Sequence, residues 1–283
     1  MERAWASWVA LWDRREDATA LALVRIGVAI VLLYDFVAMW RVGAIEALYA
    51  PPPVGYAAAD GWAAPHALWL AAMLSLLALG LGLATRAAAI AFVILSAHLA
   101  QLAPDGDRGI DMVLRVVIAI LALSRCNARW SLDAMLWARL GRPIPREVPA
   151  WPRYLLMLQL VWVYFSGGIN KGGTEWGPFG GFLALSNAVA DPHLARFDPG
   201  SWLPALLPLT RVATALVMVF ELSAPLYLVA YARGWRRVRY AWLSLGVAFH
   251  LGIALTLRLG IFPWGMLVLY PVLLQPAELA RRR

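Results

Sequence analysis

The sequence predicts an all-α integral membrane protein, a bundle of about eight transmembrane helices with a re-entrant or interfacial segment after the fifth. Of its 283 residues, 62% are apolar and only 15% are charged, and the mean hydropathy is +0.66. A soluble domain of this size could not hide so much apolar surface from water. The apolar residues also form runs of about 20, the length that crosses a bilayer as a helix with its backbone groups paired internally.

Eight such runs are present, at 20–42, 66–84, 87–103, 109–125, 151–170, 207–232, 238–258 and 260–276. The stretch before the first run is charged and tryptophan-rich and has no small-residue cleavage site, so the first span is expected to be retained. No internal repeat and no polar linker is evident. We therefore expect one membrane domain over 1–283, without a separate extramembrane domain.

The basic residues predict the topology. Arginines are concentrated before the first span, in 126–150, in 233–237 and in the C-terminal tail, and the predicted spans place all four segments on one side. The positive-inside rule puts that side, and both termini, in the cytoplasm. The net charge of +8 is thereby explained by membrane topology, and no nucleic-acid partner is expected.

Three connections have distinctive compositions. Residues 42–65 contain three consecutive prolines and an Asp-Gly-Trp turn, which predicts a folded cap at the interface. The 126–150 loop combines arginines with apolar residues at helical spacing, which predicts an amphipathic helix on the anionic inner surface. The 171–206 connection is glycine-rich at its start, and irregular backbone near membrane depth normally lines a cavity, so a site is expected there.

Lys171 opens this connection and is the single lysine among 25 basic residues. Arginine stays protonated in proteins, whereas a lysine in an apolar pocket can lose its proton and act as a base or nucleophile. Tyr164 and Gly167 would share its helix face, and Gly167-Gly168 would let a ligand or helix approach closely. A lysine that snorkels to the headgroups, or one that pairs with Glu175, fits the same residues.

Other ionisable residues fall inside predicted spans, where their cost in lipid makes them face the protein interior. Asp111 and Arg115 are spaced i, i+4 and are expected to neutralise each other as a structural pair. Pro225 cannot donate to the Glu221 carbonyl, which predicts a kink there. His250 suits either an interior position or acid–base chemistry. The full set is Arg25, Asp35, His98, Asp111, Arg115, Arg211, Glu221 and His250.

Metal and phosphate motifs are weak. The four histidines show no ligand pair at i, i+4, and no phosphate-binding loop is present, so no metal site is predicted.

Three stretches together resemble the membrane domain shared by vitamin K-dependent γ-glutamyl carboxylases and the bacterial HTTM (horizontally transferred transmembrane) proteins. One is Tyr164-Phe165-x-x-Gly168-x-x-Lys171 with Trp176 beyond it. The second is Phe249-His250 followed by Leu259-Gly260-Ile261-Phe262-Pro263-Trp264-x-Met266-Leu267, and the third is Trp130-Ser131-Leu132-Asp133. With Arg25 and Glu221, the resemblance covers nearly the whole chain and implies a bacterial inner-membrane protein.

The resemblance implies a membrane-embedded enzyme that binds a reduced quinone similar to vitamin K hydroquinone. Lys171 would deprotonate the hydroquinone so that oxygen can form a strongly basic alkoxide and the epoxide, and in the carboxylase carbon dioxide then adds to the carbanion. The implied site has Lys171 and His250 as catalytic residues. Its substrate- or quinone-binding residues are Tyr164, Asn170, Trp176, Glu221 and His98.

Two departures from the carboxylase leave the substrate unassigned. Ala128 stands where the animal carboxylase has a histidine. The large domain that presents the substrate glutamate in the carboxylase is not expected after the last span. Both departures weaken the expectation of peptide carboxylation. A separate soluble domain or peptide could supply that function. The alternatives are a non-catalytic module that binds a quinone, a lipid or a protein partner and, less favoured because no repeat is evident, a transporter.

Overall fold

A computed structural model describes residues 2–43, 45, 48, 65–198 and 200–279 of the chain. The predicted cap over 42–65 lies almost entirely outside these residues. The chain forms two compact units, one of residues 1–156 with 268–283 and one of residues 157–267.

The described chain is mostly helical, with one short pair of strands. The elements are α1 (Glu2–Trp12), β1 (Arg15–Asp17), α2 (Thr19–Arg41), α3 (Pro65–Leu81), α4 (Thr85–Leu102), α5 (Gly109–Leu123), α6 (Leu132–Arg139), β2 (Glu147–Pro149), α7 (Trp151–Ile169), α8 (Ala184–Ala190), α9 (Leu203–Leu222), α10 (Ala224–Ala232), α11 (Arg236–Thr256), α12 (Phe262–Leu267) and α13 (Pro276–Leu279).

The first unit is built on α2 to α5, each of which packs against the next along the chain. In its core the Trp69 ring stacks on Phe36 with ring centroids 4.1 Å apart, and the indole N–H donates to the Phe36 carbonyl. The antiparallel pair β1–β2 brings Glu16 opposite Val148. Arg153, which is almost fully buried, donates to both Glu16 carboxylate oxygens at 2.6 and 2.8 Å, so its charge is compensated inside the unit.

The second unit contains most of α7 and the helices α8 to α12. Here α8 packs beside α9, and α11 packs against both α10 and α12. The Trp242 indole on α11 donates to the Phe220 carbonyl of α9 at 3.1 Å. The Phe220 and Trp242 rings also contact the Tyr164 ring of α7, so aromatic side chains of α7, α9 and α11 pack together inside this unit.

Four described segments are long and apolar enough to cross a membrane: Thr19–Arg41, Thr85–Leu102, Gly200–Leu222 and Arg236–Thr256. They correspond to the first, third, sixth and seventh predicted spans. The second and eighth predicted spans correspond to shorter apolar segments, His66–Leu81 and Phe262–Leu273. The structure thus supports a helical membrane protein with four candidate spans among its described residues.

Two predicted spans are not continuous helices. Residues 207–232 divide into α9 and α10 around Ser223, and Pro225 occupies the first turn of α10, where its missing N–H is tolerated. The chain thus has a helix break at the place where Pro225 predicted a kink. Residues 260–276 form the short α12 and then a 3₁₀ turn over Tyr270–Leu273, so this stretch is not one continuous helix.

Candidate functional site

Lys171 lies two residues beyond the end of α7 and forms an ion pair with Glu221 of α9, through Nζ and Oε2. The ammonium also lies 3.5 Å from the Gly167 carbonyl oxygen and 4.9 Å from the centroid of the Trp176 ring. The Lys171 side chain is 19% exposed and that of Glu221 is 6% exposed. The lysine is thus held by a carboxylate inside the second unit, and its partner is Glu221 rather than Glu175.

Two glycines on α7 allow this pairing. A Cβ built at Gly168 would lie 3.0 Å from Leu222 Cδ2 and 3.1 Å from Glu221 Cβ, which is tighter than ordinary contact. At Gly167 the nearest atom to a built Cβ would be Glu221 Oε1, at 3.5 Å. Small residues therefore let α7 and α9 approach closely enough for Lys171 to reach Glu221.

The pair lies at the far end of α9 from its first residue. Glu221 is the penultimate residue of this 20-residue helix. About 27 Å of helix therefore precedes it, at about 1.5 Å per residue, which is close to the roughly 30 Å of a bilayer core. Lys171 therefore meets α9 near the end of that helix, about 27 Å from its first residue.

The segment after Lys171 runs back along α9. The Arg211 guanidinium donates to the Gly181 carbonyl at 2.8 Å, the Leu185 N–H donates to the Thr214 hydroxyl, and Ser186 bonds the Thr210 hydroxyl. Gly181 has a φ of +70°, a conformation that glycine adopts without strain. Short 3₁₀ turns and α8 thus line one side of α9 from Glu221 toward its beginning.

This packing encloses a cavity of about 440 Å³ beside the lysine. Its wall is mostly apolar, and its polar side chains are few. The lining residues are Lys171, Trp176, Ala184, Leu185, Ala188, Ala213, Thr214, Leu216, Val217, Phe220, Glu221, Leu245, Ala248, Phe249, Gly252, Ile253, Thr256, Leu257, Leu259 and Phe262. An apolar cavity with a few convergent polar groups is the usual form of a small-molecule site.

Three of the predicted site residues, Lys171, Trp176 and Glu221, line this cavity together. Tyr164 and His250 do not line it. They are buried, and the Tyr164 hydroxyl bonds His250 Nε2 at 2.6 Å. Both rings contact residues of the cavity wall, Tyr164 through Phe220 and His250 through Phe249 and Phe262. Tyr164 and His250 therefore pack against residues of the cavity wall without lining the cavity themselves.

The remaining predicted residues lie elsewhere. The exposed Asn170 donates back to the Ser166 carbonyl at 2.9 Å and closes the end of α7. His98 is on α4 of the first unit, whereas the cavity is lined by residues of the second unit.

The predicted Asp111–Arg115 pair is wrong. Asp111 binds Arg108, which precedes α5 and also bonds Asp35, while Arg115 bonds Asp107 at 2.7 Å. The physical reason is capping: the Asp111 carboxylate accepts the Arg108 backbone N–H at the start of α5, so it is turned away from the next helical turn. Arg115 is then neutralised by an aspartate outside the helix.

Sequence reasoning missed the aromatic wall of the cavity and its hydroxyl groups. Phe249 and Phe262 occur in the second resembling stretch, which was a signal for them. Phe220 and Thr214 have no such signal, because their place on the wall depends on how α9 packs against α8 and α11.

The third resembling stretch has a structural role in the first unit. The fully buried Arg25 donates to the carbonyls of Leu79, Gly80 and Trp130 at 2.8, 3.0 and 2.6 Å. Asp133 in turn accepts the backbone N–H groups of Ala84 and Thr85 at the start of α4.

Asp133 is held in its charged form by these contacts. Burial by itself raises the pKa of this carboxyl, but hydrogen bonds from the Thr85 backbone and hydroxyl, the Asn127 amide and the Ala84 backbone outweigh it, and the net pKa is lowered. Through these hydrogen bonds, the stretch connects the turn between α3 and α4 to the residues that follow α5.

The fold and this site define a helical membrane protein with an apolar cavity that contains one lysine–glutamate pair. The HTTM domain model matches residues 13–277, so the chain belongs to the HTTM family of membrane domains. No curated protein matches the chain significantly. No solved structure does so either.

Proposed function

We propose that this protein is a membrane-embedded enzyme that uses a reduced quinone, with Lys171 as the base. The observation that carries the proposal is the position of Lys171: its amine is on the wall of an apolar cavity of about 440 Å³ and shares a hydrogen bond with Glu221. The enzyme's second substrate is not assigned.

The cavity fits a hydroquinone. Phe220, Phe249 and Phe262 supply aromatic surface for a ring, while Lys171 and Glu221 supply a donor and an acceptor for ring hydroxyls. Its volume lies within the roughly 300–1,000 Å³ that ligand pockets usually have. A reduced quinone supplies two electrons and an acidic hydroxyl. In the carboxylases that the sequence resembles, oxygen accepts the electrons and carbon dioxide is a further co-substrate.

The residues of the chain would bind the ring and manage one proton. In the pair, the proton can lie on Lys171 Nζ or on the Glu221 carboxylate. With the proton on Glu221, the amine is a base that can accept a proton from a hydroxyl within hydrogen-bond reach. A ring bound against this apolar wall would exclude water from the pair, which would strengthen this interaction.

Supporting the same proposal, the 171–190 segment would be a re-entrant segment of the membrane domain. Its contacts advance along α9 from Glu221 to Thr210, and irregular backbone at that depth is tolerated where it lines a cavity. The proposed topology has about eight membrane segments and both termini in the cytoplasm of a bacterial inner membrane, because the arginine-rich segments then share one side.

The test is turnover by purified full-length protein in lipid vesicles with vitamin K hydroquinone and oxygen, with quinone and epoxide products measured by chromatography. Lys171→Arg is the decisive variant, because arginine can keep the ion pair with Glu221 but remains protonated. We expect Lys171→Arg and Lys171→Ala to lower turnover by about 10²-fold or more, the contribution typical of a general base. Glu175→Gln, which removes the nearby carboxylate that lies outside the cavity, is the matched control and should retain wild-type turnover.

Equal turnover by wild type and Lys171→Arg would contradict the role of Lys171 as a base. No turnover by the wild type with several quinols would instead favour the second candidate, a non-catalytic module that binds a quinone or lipid. The apolar wall of the cavity and Ala128 favour this candidate. Native mass spectrometry of the wild type would then retain a bound quinone or lipid that a Phe220→Ala or Phe249→Ala variant loses.

A further inference from the structure

A second cavity, of about 590 Å³, lies in the first unit and is not used by the proposed reaction. It is formed where α4 begins and α5 ends, with α6 and the following loop completing it. Its wall includes Thr85, Arg86, Arg125, Asp133, Trp137 and Arg142.

The cavity carries an excess of positive charge. Three arginines line it, namely Arg86, Arg125 and Arg142, and within the described part of the chain none of them forms an ion pair with a carboxylate. Arg86 is oriented by a hydrogen bond from Nε to the Ala122 carbonyl at 3.1 Å. The wall contains one carboxylate, Asp133, which is bonded to the α4 N-terminus, so the three arginines still leave an excess of positive charge.

A cavity at this end of α4 would open at the level of the membrane surface. It contains the first residues of α4, one of the helices long and apolar enough to span a bilayer, and the end of such a helix lies near the lipid headgroups. Large apolar side chains around it are exposed: Leu123 is 69%, Trp137 44% and Leu140 71% exposed. Tryptophan and leucine beside arginines at this level are typical of a surface that contacts headgroups and acyl chains at once.

We propose that this cavity binds one anionic phospholipid, with Arg125 and Arg142 contacting the phosphate oxygens of its headgroup and the apolar rim contacting its acyl chains. Guanidinium groups bind phosphate oxygens in pairs of parallel hydrogen bonds. A zwitterionic lipid offers the same phosphate but adds an ammonium group, which the three arginines repel. The site therefore selects lipids of net negative charge.

The test uses full-length protein in detergent with equal amounts of phosphatidylglycerol and phosphatidylcholine that carry identical acyl chains, with bound lipid counted by native mass spectrometry. The Arg125→Gln/Arg142→Gln variant removes two exposed cavity arginines whose side chains make no hydrogen bond to any of the residues that the structure describes. Arg139→Gln/Arg146→Gln is its matched control, because it removes the same charge from the same loop outside the cavity wall.

We expect the wild type and the control to retain one phosphatidylglycerol in preference to phosphatidylcholine, and the cavity variant to bind it more weakly by on the order of tenfold. Equal retention by the cavity variant and the control would overturn the proposal. So would displacement of the lipid by millimolar inorganic phosphate or glycerol 3-phosphate, which would identify a site for soluble phosphates. If the double variant fails to fold, as judged by size-exclusion chromatography, Arg142→Gln against Arg139→Gln gives the same comparison.

Discussion

The turn between α3 and α4 can be tested by adding a single methyl group. Gly82 in this turn has a φ of +68°, and a Cβ built on it would overlap Arg25 Nη1 and Ser131, with the Ser131 Cα only 2.8 Å away. Gly82→Ala should therefore carry two costs. One is left-handed backbone strain of about 1–2 kcal/mol, and the other is overpacking of about 1–3 kcal/mol.

Gly141→Ala is the matched control. Gly141 has a φ of +73°, and nothing lies within 4 Å of a Cβ built on it, so it carries the strain without the overlap. Both substitutions restrict the unfolded chain equally, and this effect cancels in the comparison. The difference between the two variants should be the overpacking cost of about 1–3 kcal/mol.

The assay is unfolding by sodium dodecyl sulfate in mixed micelles, followed by tryptophan fluorescence, with the free energy of unfolding compared between variants. Equal destabilisation by Gly82→Ala and Gly141→Ala would refute the idea that Arg25 and Ser131 pack tightly against this turn. It would also remove the structural role assigned to the third resembling stretch.

Three further predictions concern the two units. Gly168→Ala should destabilise the second unit more than Gly167→Ala in the same assay, because only the former places a Cβ 3.0–3.1 Å from α9. Asp133→Asn should lose stability relative to wild type mainly above about pH 4, the usual pKa of a carboxyl, since its pKa is lowered in the folded state. A double-mutant cycle on Arg115→Gln and Asp107→Asn should show a coupling of about 0.5–3 kcal/mol.

Each has a contradicting result. If Gly168→Ala and Gly167→Ala were equally stable, α9 would be able to move away from a Cβ at residue 168 without loss of stability. A carboxyl whose pKa is lowered by folding stabilises the fold above its unfolded pKa, and this stabilisation is lost as the pH falls. If the difference in free energy of unfolding between wild type and Asp133→Asn grew in acid, the assigned hydrogen bonds would be contradicted. Additive effects of the Arg115 and Asp107 variants would count against their pairing.

The apolar runs determined the class of protein because only lipid accommodates so many of them. The sequence also indicated the helix break near Glu221, since Pro225 has no N–H to donate to the carbonyl four residues before it. It indicated Lys171 as a site residue through its rarity and its glycine neighbours. These are local properties, and they depend on no distant contact.

Tertiary structure decided the partners. Lys171 is 50 residues from Glu221, and Gly167-Gly168 allow the contact, but nothing in the spacing indicates which carboxylate the lysine meets. Asp111 and Arg115 share a helix face and yet bind other residues, because the start of α5 required a cap. His98 and Lys171 are both site residues predicted from the sequence, and yet they lie in different units.

The cavity likewise depended on packing. Its aromatic wall comes from α9, α11 and α12, and apolar residues on a membrane helix look alike in sequence whether they face lipid or a cavity. The sequence by itself thus determined the solvent, the helix break near Glu221 and the one lysine of the chain. Which side chains surround that lysine was decided by helix packing, because residues far apart in the chain became neighbours only when the helices came together.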